Sequence, residues 1–356
     1  MKQKTAIICL SRVNGGMELA SVKLARLLST EVETYFIAKK DSYIINKKEH
    51  FNNCNIKVHE VSFSSNLSLS LIKDIRKILI KNDIKNIIFL GASEMKSLYF
   101  ATLGLDINFI IRQGSKKTTS KKDIFHKFFY SNVNYFVGNC EYMKKNIIDI
   151  LPIPKKAKVI RIYSSLKFDD NINFNIFNGT IKIIHVGRVH PGKGQLEAIK
   201  TCEVLYKNNI PFNIKFLGDI QDKNYYNTIR KFLEKSQFKP NIEFLGYTSE
   251  VKRHLQESDI FLFPSLGEGM SNAIIESLGF GLIPIIYNDT SSPEFKDLGF
   301  HIHLTSNNNV EELKEVILNV SKNIKKEKEN SKSNHEKALE IFALKREQNQ
   351  YLKILI

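Results

Sequence analysis

Two carboxylates and two cationic side chains stand in glycine-rich segments of the second half of the chain. Glu268 and Glu276 lie eight residues apart, where an apolar run leads into a glycine-rich turn and then into a helical pattern. Arg188 and Lys193 lie five residues apart in another glycine-rich turn, which also follows an apolar run. A guanidinium and an ammonium can clamp a diphosphate, and the free amides of a helix start attract anions. The spacing therefore predicts a diphosphate site that both carboxylates can face.

Each of these groups has a structural explanation when it is taken singly. A carboxylate close to a helix start is commonly a partner of the helix dipole, and a charged turn is commonly only solvated. Two carboxylates around one glycine-rich turn, with a cationic turn in the same half of the chain, are harder to explain in that way. We therefore interpret the four side chains as parts of one site.

A further glycine pair, Gly15 and Gly16, stands between the first strand-like run and a helical pattern over 17–29. Glycine at such a junction lets backbone amides approach an anion closely. The pair is neither a GxGxxG motif nor a Walker loop, so on its own it does not distinguish an anion site from an ordinary turn.

Strand-like and helical patterns alternate along the chain. Short runs of β-branched and aromatic residues predict strands over 5–10, 33–38, 58–63, 86–90, 108–111, 135–138 and 159–162, and then over 181–186, 213–217, 242–245, 260–263, 283–287 and 301–304. This alternation is typical of βαβ units and parallel sheets, so we expect an α/β protein with two doubly wound, Rossmann-like domains. The expected divisions are a basic N-terminal domain over 1–170, a C-terminal domain over 171–325, and a helical segment over 326–356 that packs back across the domains.

The charge of the chain is distributed unevenly. The 356 residues include 53 Lys plus Arg and 37 Asp plus Glu, a formal net charge of +16. Residues 1–170 hold 29 of the basic and 15 of the acidic side chains, so the remainder is almost neutral. This asymmetry predicts a polyanionic partner for the first domain. Its lysine pairs lack the interleaved arginine and aromatic residues that stack bases, which favours an anionic surface over nucleic acid.

Composition also excludes several classes of protein. The longest apolar runs are far shorter than the ~20 residues that span a bilayer, and the N-terminal apolar run is shorter than a signal-peptide core. The four cysteines are scattered and form no CxxC pair, which indicates neither a disulfide framework nor a zinc site. We expect a cytoplasmic protein with peripheral contact to the inner leaflet of the cytoplasmic membrane.

The segment from Pro264 to Pro284, which contains Glu268-x7-Glu276, resembles the signature of the retaining glycosyltransferases of family 4. Gly187-Arg188 and Lys193-Gly194 resemble the diphosphate clamp of that family, and Gly15-Gly16-Met17-Glu18 resembles its N-terminal GGxE loop. The similarity runs in the family's order from about residue 5 to about residue 320. It implies the GT-B fold, in which two doubly wound Rossmann-like domains face each other across a cleft.

The resemblance also implies roles for individual residues. Arg188 and Lys193 would bind the diphosphate of a nucleotide-sugar donor, Glu276 would accept hydrogen bonds from the ribose, and Glu268 would hold the hydroxyls of the donor sugar. The expected donor-site residues are Gly15, Gly16, Arg188, Lys193, Tyr247, Glu268, Gly269, Met270, Ser271, Asn272 and Glu276, of which Arg188, Lys193 and Glu268 are the expected catalytic residues. A weaker similarity joins the segment around Lys121-Lys122 and His126 to members that build lipopolysaccharide core or other bacterial surface glycans.

One loop departs from the family pattern. Many members place a histidine near the donor sugar after the strand at 108–111, where this chain has Arg112 and Gln113. An amide hydrogen-bonds a hydroxyl but cannot act as an acid or a base, so a mechanism that needs imidazole there is in doubt. Arg112, Gln113 and His126 are the expected further contacts to the acceptor or the donor sugar.

Together these features predict a retaining transfer of a hexose from a nucleotide sugar, with UDP as the expected nucleotide. The expected acceptor is a bacterial surface glycan or glycolipid: lipopolysaccharide core, O-antigen or capsule. The chain contains no Asp-x-Asp triad, so we expect no metal and no other cofactor. The alternatives are a nucleotide-sugar epimerase of the same fold and, from charge alone, a non-enzymatic nucleic-acid-binding protein. The expected partners are the nucleotide sugar, the acceptor and an anionic membrane surface on the first domain, without nucleic acid; the oligomeric state is not predicted.

Overall fold

The computed structural model describes residues 3–13, 15–91, 93–168, 172 and 174–356. The chain divides into two compact units, residues 1–163 with 344–356, and residues 164–343. The predicted boundary after residue 170 lies outside the described residues, and the observed division comes earlier, after Tyr163. The predicted segment 326–356 does not form one piece, because residues 326–343 belong to the second unit and 344–356 return to the first.

The first unit is a parallel sheet covered by helices on both faces. Its strands are β1 (Lys4–Cys9), β2 (Glu33–Lys39), β3 (Ile56–Val61), β4 (Asn86–Phe89), β5 (Asn108–Gln113), β6 (Tyr135–Gly138) and β7 (Lys158–Arg161). Its helices are α1 (Gly16–Leu28), α2 (Tyr43–Asn46), α3 (Leu69–Lys81), α4 (Met95–Thr102), α5 (Ile124–Phe129), α6 (Glu141–Ile150) and, at the C-terminus, α14 (Leu344–Leu352). The strands pair in the order β3-β2-β1-β4-β5-β6-β7.

The strand β5 shows why this sheet has a core on each side. All six of its residues are buried, as expected for a strand with both faces covered. Phe109 and Ile111 pack into the cluster that includes α3 and α4, whereas Ile110 packs into the cluster that includes α1 and α14. The C-terminal helix α14 is thus part of the first unit because Tyr351 completes the apolar layer on one face of its sheet.

The second unit repeats this plan with one strand fewer. Its strands are β8 (Ile181–Val186), β9 (Phe212–Leu217), β10 (Ile242–Gly246), β11 (Ile260–Phe263), β12 (Ile283–Tyr287) and β13 (His303–Thr305). Its helices are α7 (Gln195–Lys207), α8 (Lys223–Glu234), α9 (Val251–Gln256), α10 (Asn272–Gly279), α11 (Ser292–Asp297), α12 (Val310–Lys322) and α13 (Ile324–Ile341). The strands pair in parallel in the order β10-β9-β8-β11-β12-β13.

Both sheets have a switch point at which the strand order changes direction. It lies between β1 and β4 in the first sheet and between β8 and β11 in the second. In open parallel sheets, ligands bind beyond the carboxyl ends of the strands at this point. The loops that follow these four strands are therefore the places to look for a site.

The predicted strands all form, within two residues at each end. The short helices α2, α5, α9 and α11 were not predicted, since segments of four to six residues are too short to show a helical period. Among the described residues, no helix is both long enough and apolar enough to cross a membrane.

Candidate active site

Two glycine-rich turns meet at the switch point of the second sheet. β8 and β11 are neighbouring parallel strands, with Ile183 opposite Ile260, so the turns that follow them emerge side by side. The carbonyl of Gly192 accepts from the amide of Leu266 at 2.9 Å, and its oxygen lies 3.0 Å from the hydroxyl oxygen of Ser265. The cationic turn and the carboxylate turn predicted from the sequence are thus hydrogen-bonded to each other.

Gly194 lies where the two turns come closest. Its φ of +72° is in the left-handed region, and a Cβ added there would lie 2.0 Å from the carbonyl oxygen of Pro264. An L side chain at this position would therefore meet both backbone strain and a clash. Gly194 also precedes the first turn of α7, so the same residue closes the cationic turn and starts the following helix.

An ion pair between Lys193 and Glu268 links the two turns. The oxygen of Glu268 that contacts Lys193, Oε1, also accepts from the hydroxyl of Ser265 at 2.7 Å. Within the described residues, the second oxygen, Oε2, accepts no hydrogen bond. The carboxylate is therefore fixed through one oxygen and can accept from a ligand through the other.

A buried histidine holds the backbone of Lys193, and our sequence analysis missed it. Nε2 of His185 lies 2.8 Å from the carbonyl oxygen of Lys193, and the imidazole packs against the rings of Phe216 and Phe263. Burial lowers the pKa of His185 to about 4, so the ring is neutral and donates Nε2–H to the carbonyl. A histidine within a strand carries no sign of its partner, which is why its type and position did not reveal this role.

Arg188 presents a guanidinium at the same edge of the sheet. Its backbone carbonyl accepts from Nε2 of Gln195 at 2.9 Å, whereas its side chain is exposed. The side chain forms neither an ion pair nor a hydrogen bond with another residue in the described part of the chain. The guanidinium is thus available for two-point contact with a phosphate.

Two backbone amides of the carboxylate turn point away from the loop that packs against it. The carbonyl of Glu268 accepts from Thr290 at 2.5 Å and that of Gly269 accepts from Ser291 at 2.6 Å. In a trans peptide the N–H points opposite to the C=O, so the amides of Gly269 and Met270 face away from the loop at 289–291. Ser271 is the N-cap of α10, and its side chain makes no capping hydrogen bond. The amides of the first turn of α10 therefore add to this set of donors.

Glu276 lies just over one turn inside α10 and is half-buried. Burial raises the pKa of its carboxyl to about 7, against an opposing effect of Lys252. Its charge therefore changes close to neutral pH, which is typical of groups at functional sites. No hydrogen bond occupies this carboxyl among the described residues, so it is available to a ligand.

The remaining predicted donor-site residues lie at the carboxyl edges of the two sheets. Met270 and Ser271 are buried while Asn272 is exposed at the first position of α10. Tyr247 follows β10 and is exposed. Gly15 and Gly16 belong to the first unit, where Gly15 precedes α1 and Gly16 is its first residue.

Arg112 and Gln113, which we predicted to contact a sugar, make contacts inside the first unit. Arg112 is 6% exposed and lies beside Tyr351 and Lys23, in the layer that α14 covers. Gln113 is 8% exposed, and its amide donates to Oδ1 of Asn146 at 2.7 Å. Both side chains are therefore engaged inside the first unit, because β5 remains between two helical layers up to its last residue.

His126, the third predicted sugar contact, pairs with the acidic N-cap residue of its own helix. Its Nδ1 contacts the carboxylate of Asp123, and its backbone amide donates to the same carboxylate at 3.1 Å. Asp123 is the N-cap of the short helix α5. In the structure, His126 thus stabilises the start of α5.

Glu94 is a carboxyl group at the switch point of the first sheet that our sequence analysis did not identify. Glu94 follows β4 and precedes α4. Burial raises the pKa of its carboxyl, and the neighbouring Lys39 and Lys121 oppose this effect. A single acidic residue after a strand has no distinctive spacing, so only the sheet order reveals that Glu94 lies next to the loop with Gly15.

Solved structures share this fold. A glycosyltransferase from Rickettsia africae ESF-5 aligns with a TM-score of 0.82 at 16% identity, over 99% of this chain and 97% of that chain. Alr3699/HepE of Anabaena, solved in complex with UDP and glucose, aligns with a TM-score of 0.76 at 14% identity, over 99% and 98%. This likeness confirms the predicted fold, a GT-B protein with two Rossmann-like domains.

The sequence places the chain within a family. Residues 167–353 match the glycosyl transferases group 1, and the chain belongs to this family. It is 27% identical over 307 residues to the capsular polysaccharide biosynthesis glycosyltransferase CapH of Staphylococcus aureus, covering 83% of this chain and 85% of that protein. The match supports a glycosyltransferase and neither the epimerase nor the nucleic-acid-binding alternative.

Proposed function

We propose that the chain transfers a hexose from a UDP-sugar to a hydroxyl group of a bacterial surface glycan or glycolipid, with retention of anomeric configuration. The observation that supports this most directly is the pair of hydrogen-bonded turns, in which Lys193 and Glu268 bring a cation and a carboxylate together. Beside them lie backbone amides that donate to no other described residue. The capsular polysaccharide role named for CapH and the UDP and glucose in the HepE complex support this choice of substrates. The resemblance to family 4 supports retention.

The chemical demand on such an enzyme is the stabilisation of a departing nucleoside diphosphate. The guanidinium of Arg188, the ammonium of Lys193 and the amides of Gly269 and Met270 are all donors that would face the negative charge as it develops. Donors that are fixed before the reaction stabilise such charge without reorganisation. An ammonium has three donors, so Lys193 can keep its contact with Glu268 while it bonds a phosphate oxygen.

The two carboxylates then divide the recognition of hydroxyl groups. Oε2 of Glu268, which accepts nothing from the described residues, would accept from hydroxyls of the donor sugar. Glu276 would accept from the ribose, and the ionised form is the better acceptor. The cationic donors supply the charge that a metal ion supplies in other transferases, so we propose that transfer needs no metal.

A surface of the first unit supports a membrane-associated acceptor. On α5, Ile124 and Phe125 are 76% and 73% exposed, and Phe128 is half exposed. Lys122 and Lys127 are exposed just before and within this helix, and Lys116 and Lys117 are exposed further upstream in the chain. Lys122 and Lys127, with Ser131 and five apolar residues, line a cavity of about 580 Å³ beside the helix. We define the lysine–aromatic patch as Lys116, Lys117, Lys122, Ile124, Phe125, Lys127 and Phe128. Apolar side chains within a basic rim are suited to an anionic bilayer surface.

Transfer to a simple alcohol tests the proposed reaction without the natural acceptor. The protein is incubated with each of a panel of UDP-sugars in buffer that contains methanol and EDTA, and the methyl glycoside is identified by proton NMR. A methyl α-glycoside from an α-linked donor is expected. A β-glycoside would contradict retention, activity only after Mg²⁺ addition would contradict metal independence, and a change of the sugar nucleotide to its epimer would contradict transfer.

A further inference from the structure

Two histidines and a glutamate converge at the edge strand of the second sheet. Nε2 of His301 lies 2.6 Å from Oε2 of Glu327, and Nε2 of His303 lies 2.9 Å from the same oxygen. The centroids of the two imidazole rings are 5.3 Å apart, and the ring planes are inclined by 81°. His303 begins β13, and Glu327 lies in the first turn of α13. The cluster therefore joins this helix to the edge of the sheet.

The backbone that carries the histidines is fixed by Asn334, a buried residue of α13. The amide of His301 donates to Oδ1 of Asn334 at 2.8 Å, and Nδ2 of Asn334 donates to the carbonyl of His301 at 2.8 Å. Both backbone groups of His301 are thus bonded to one side chain. Because side chains two residues apart in extended chain point to the same side, His301 and His303 both face Glu327.

We propose that His301, His303 and Glu327 bind a zinc ion. Two imidazole nitrogens and one carboxylate oxygen are a ligand set that zinc uses, with a fourth position for water. Zinc with bonds of about 2.0–2.2 Å separates tetrahedral ligand atoms by about 3.4 Å. The two contacts to Glu327 must therefore open by less than about 1 Å, which small rotations of three partly exposed side chains allow.

The role of the ion is to clip α13 to the sheet. This helix buries few large apolar side chains, since its buried residues are Ile324, Ser331, Asn334, His335 and Ala338. Polar contacts attach it instead, among them the ion pair of Lys328 with the buried Asp259 at 2.6 Å. A metal bridge stabilises such a helix more than another hydrogen bond does.

The position of the cluster separates this ion from the proposed reaction. His301 and His303 lie at the amino end of β13, whereas the paired turns follow the carboxyl ends of β8 and β11. The zinc ion therefore takes no part in the proposed transfer, and its loss leaves the transfer intact as long as the second unit stays folded. If the zinc proposal fails, the proposed transfer still stands. If the proposed transfer fails, the zinc proposal still stands.

Metal titration of the full chain tests the proposal. The protein is prepared without a histidine tag, stripped with chelator, and titrated with Zn²⁺ by calorimetry and with Co²⁺ by absorption spectroscopy. One ion per chain is expected, with Co²⁺ showing the d–d bands of a tetrahedral site. At free Zn²⁺ a hundredfold above Kd, the melting temperature of the second unit is expected to rise by about 5–10 °C.

Three variants separate a metal site from hydrogen bonding alone. Glu327→Gln keeps an acceptor for both imidazoles but removes the charged ligand, and His303→Ala removes one nitrogen; both are expected to lose the Zn²⁺ shift. His59→Gln changes a histidine on β3, the edge strand of the first sheet, and is expected to keep it. Absence of stoichiometric binding to the wild type, or an unchanged Zn²⁺ shift in Glu327→Gln and His303→Ala, would overturn the proposal.

Discussion

Lys193 and Glu268 are 75 residues apart in the chain and form an ion pair across two glycine-rich turns. The contact requires that β8 and β11 be neighbours, because only then do the turns after these strands lie side by side. It places a cation suited to phosphate next to a carboxylate suited to sugar hydroxyls, and the proposed transfer depends on this pairing.

Replacement of Glu268 by glutamine tests the carboxylate. The variant keeps the size of the side chain but replaces a charged acceptor with a neutral amide, so we expect kcat to fall about 10²–10³-fold. Donor affinity, measured by calorimetry, should change much less. Ser265→Ala removes one donor to Oε1 and should lower kcat about tenfold at most. Wild-type rates in Glu268→Gln would contradict the role of this carboxylate.

Gly194→Ala tests the close approach of the turns. A Cβ there has both left-handed backbone strain and a clash with Pro264, whereas Gly104, with φ +73°, has nothing within 4 Å of its Cβ position. Gly104→Ala should therefore cost only the strain, about 1–2 kcal/mol in the free energy of unfolding. Gly194→Ala should cost at least twice as much and abolish transfer. Equal losses in urea denaturation of the two variants would show that the turns are not in contact.

The ionisation of Glu276 should affect both the thermal stability of the protein and its affinity for the donor. Burial raises its pKa from 4.5 to about 7, so the protonated form favours the folded state. Its stabilising contribution is complete below pH 4.5 and is lost as the pH rises through about 7. Glu276→Gln should therefore unfold at a higher temperature than wild type at pH 8 and at a similar one near pH 4.5.

Donor binding should follow the opposite trend. If the ionised Glu276 accepts from the ribose, affinity for a UDP-sugar should rise about tenfold between pH 6 and pH 8 in the wild type. A UDP-sugar is the right probe, since its diphosphate lacks the terminal phosphate that titrates near pH 6. Glu276→Gln should bind more weakly at pH 8 and without this pH dependence; a wild-type profile in the variant would exclude Glu276 from the site.

Vesicle binding tests the lysine–aromatic patch. Sedimentation with anionic vesicles should decrease with salt, and replacement of Lys116, Lys117, Lys122 and Lys127 by glutamate should weaken binding at least a hundredfold, at about 1 kcal/mol per lysine. Ile124→Ser with Phe125→Ser should weaken it without removing the salt dependence. Reversal of four lysines that are exposed in the second unit, Lys223, Lys231, Lys235 and Lys239, is the matched control. Vesicle binding that is unchanged by salt, by the lysine replacements and by the replacement of Ile124 and Phe125 would show that the patch has no membrane role.

Local sequence patterns were sufficient for the strands and the donor loops but not for contacts between distant segments. A strand is recognisable in the sequence by its apolar run, and the turn that contains Glu268 is recognisable by its glycines. Both were therefore predictable. The strand predicted at 301–304 begins instead at His303, because the side chain of Asn334 is hydrogen-bonded to both the amide and the carbonyl of His301. No local pattern indicates such a partner 33 residues away.

The same limit explains why the sequence did not show the contacts of Arg112 and the position of Glu94. Arg112 follows three apolar residues and was expected at an open loop, yet β5 extends to Gln113 and stays covered. The partner that covers Arg112 is Tyr351 of α14, at the far end of the chain. The position of Glu94 likewise follows from the sheet order, which places β4 beside β1 and so brings the loop after it close to a loop remote in sequence.

The central claim is that the paired turns bind a nucleotide sugar. Calorimetric titration with a panel of UDP-sugars tests it most directly. At least one UDP-sugar should bind the wild type with one site per chain. Arg188→Ala and Lys193→Ala should each weaken that binding about tenfold or more, through loss of a charge-assisted contact to the diphosphate. Binding to none of the panel, or equal affinity in the wild type and both variants, would contradict the account.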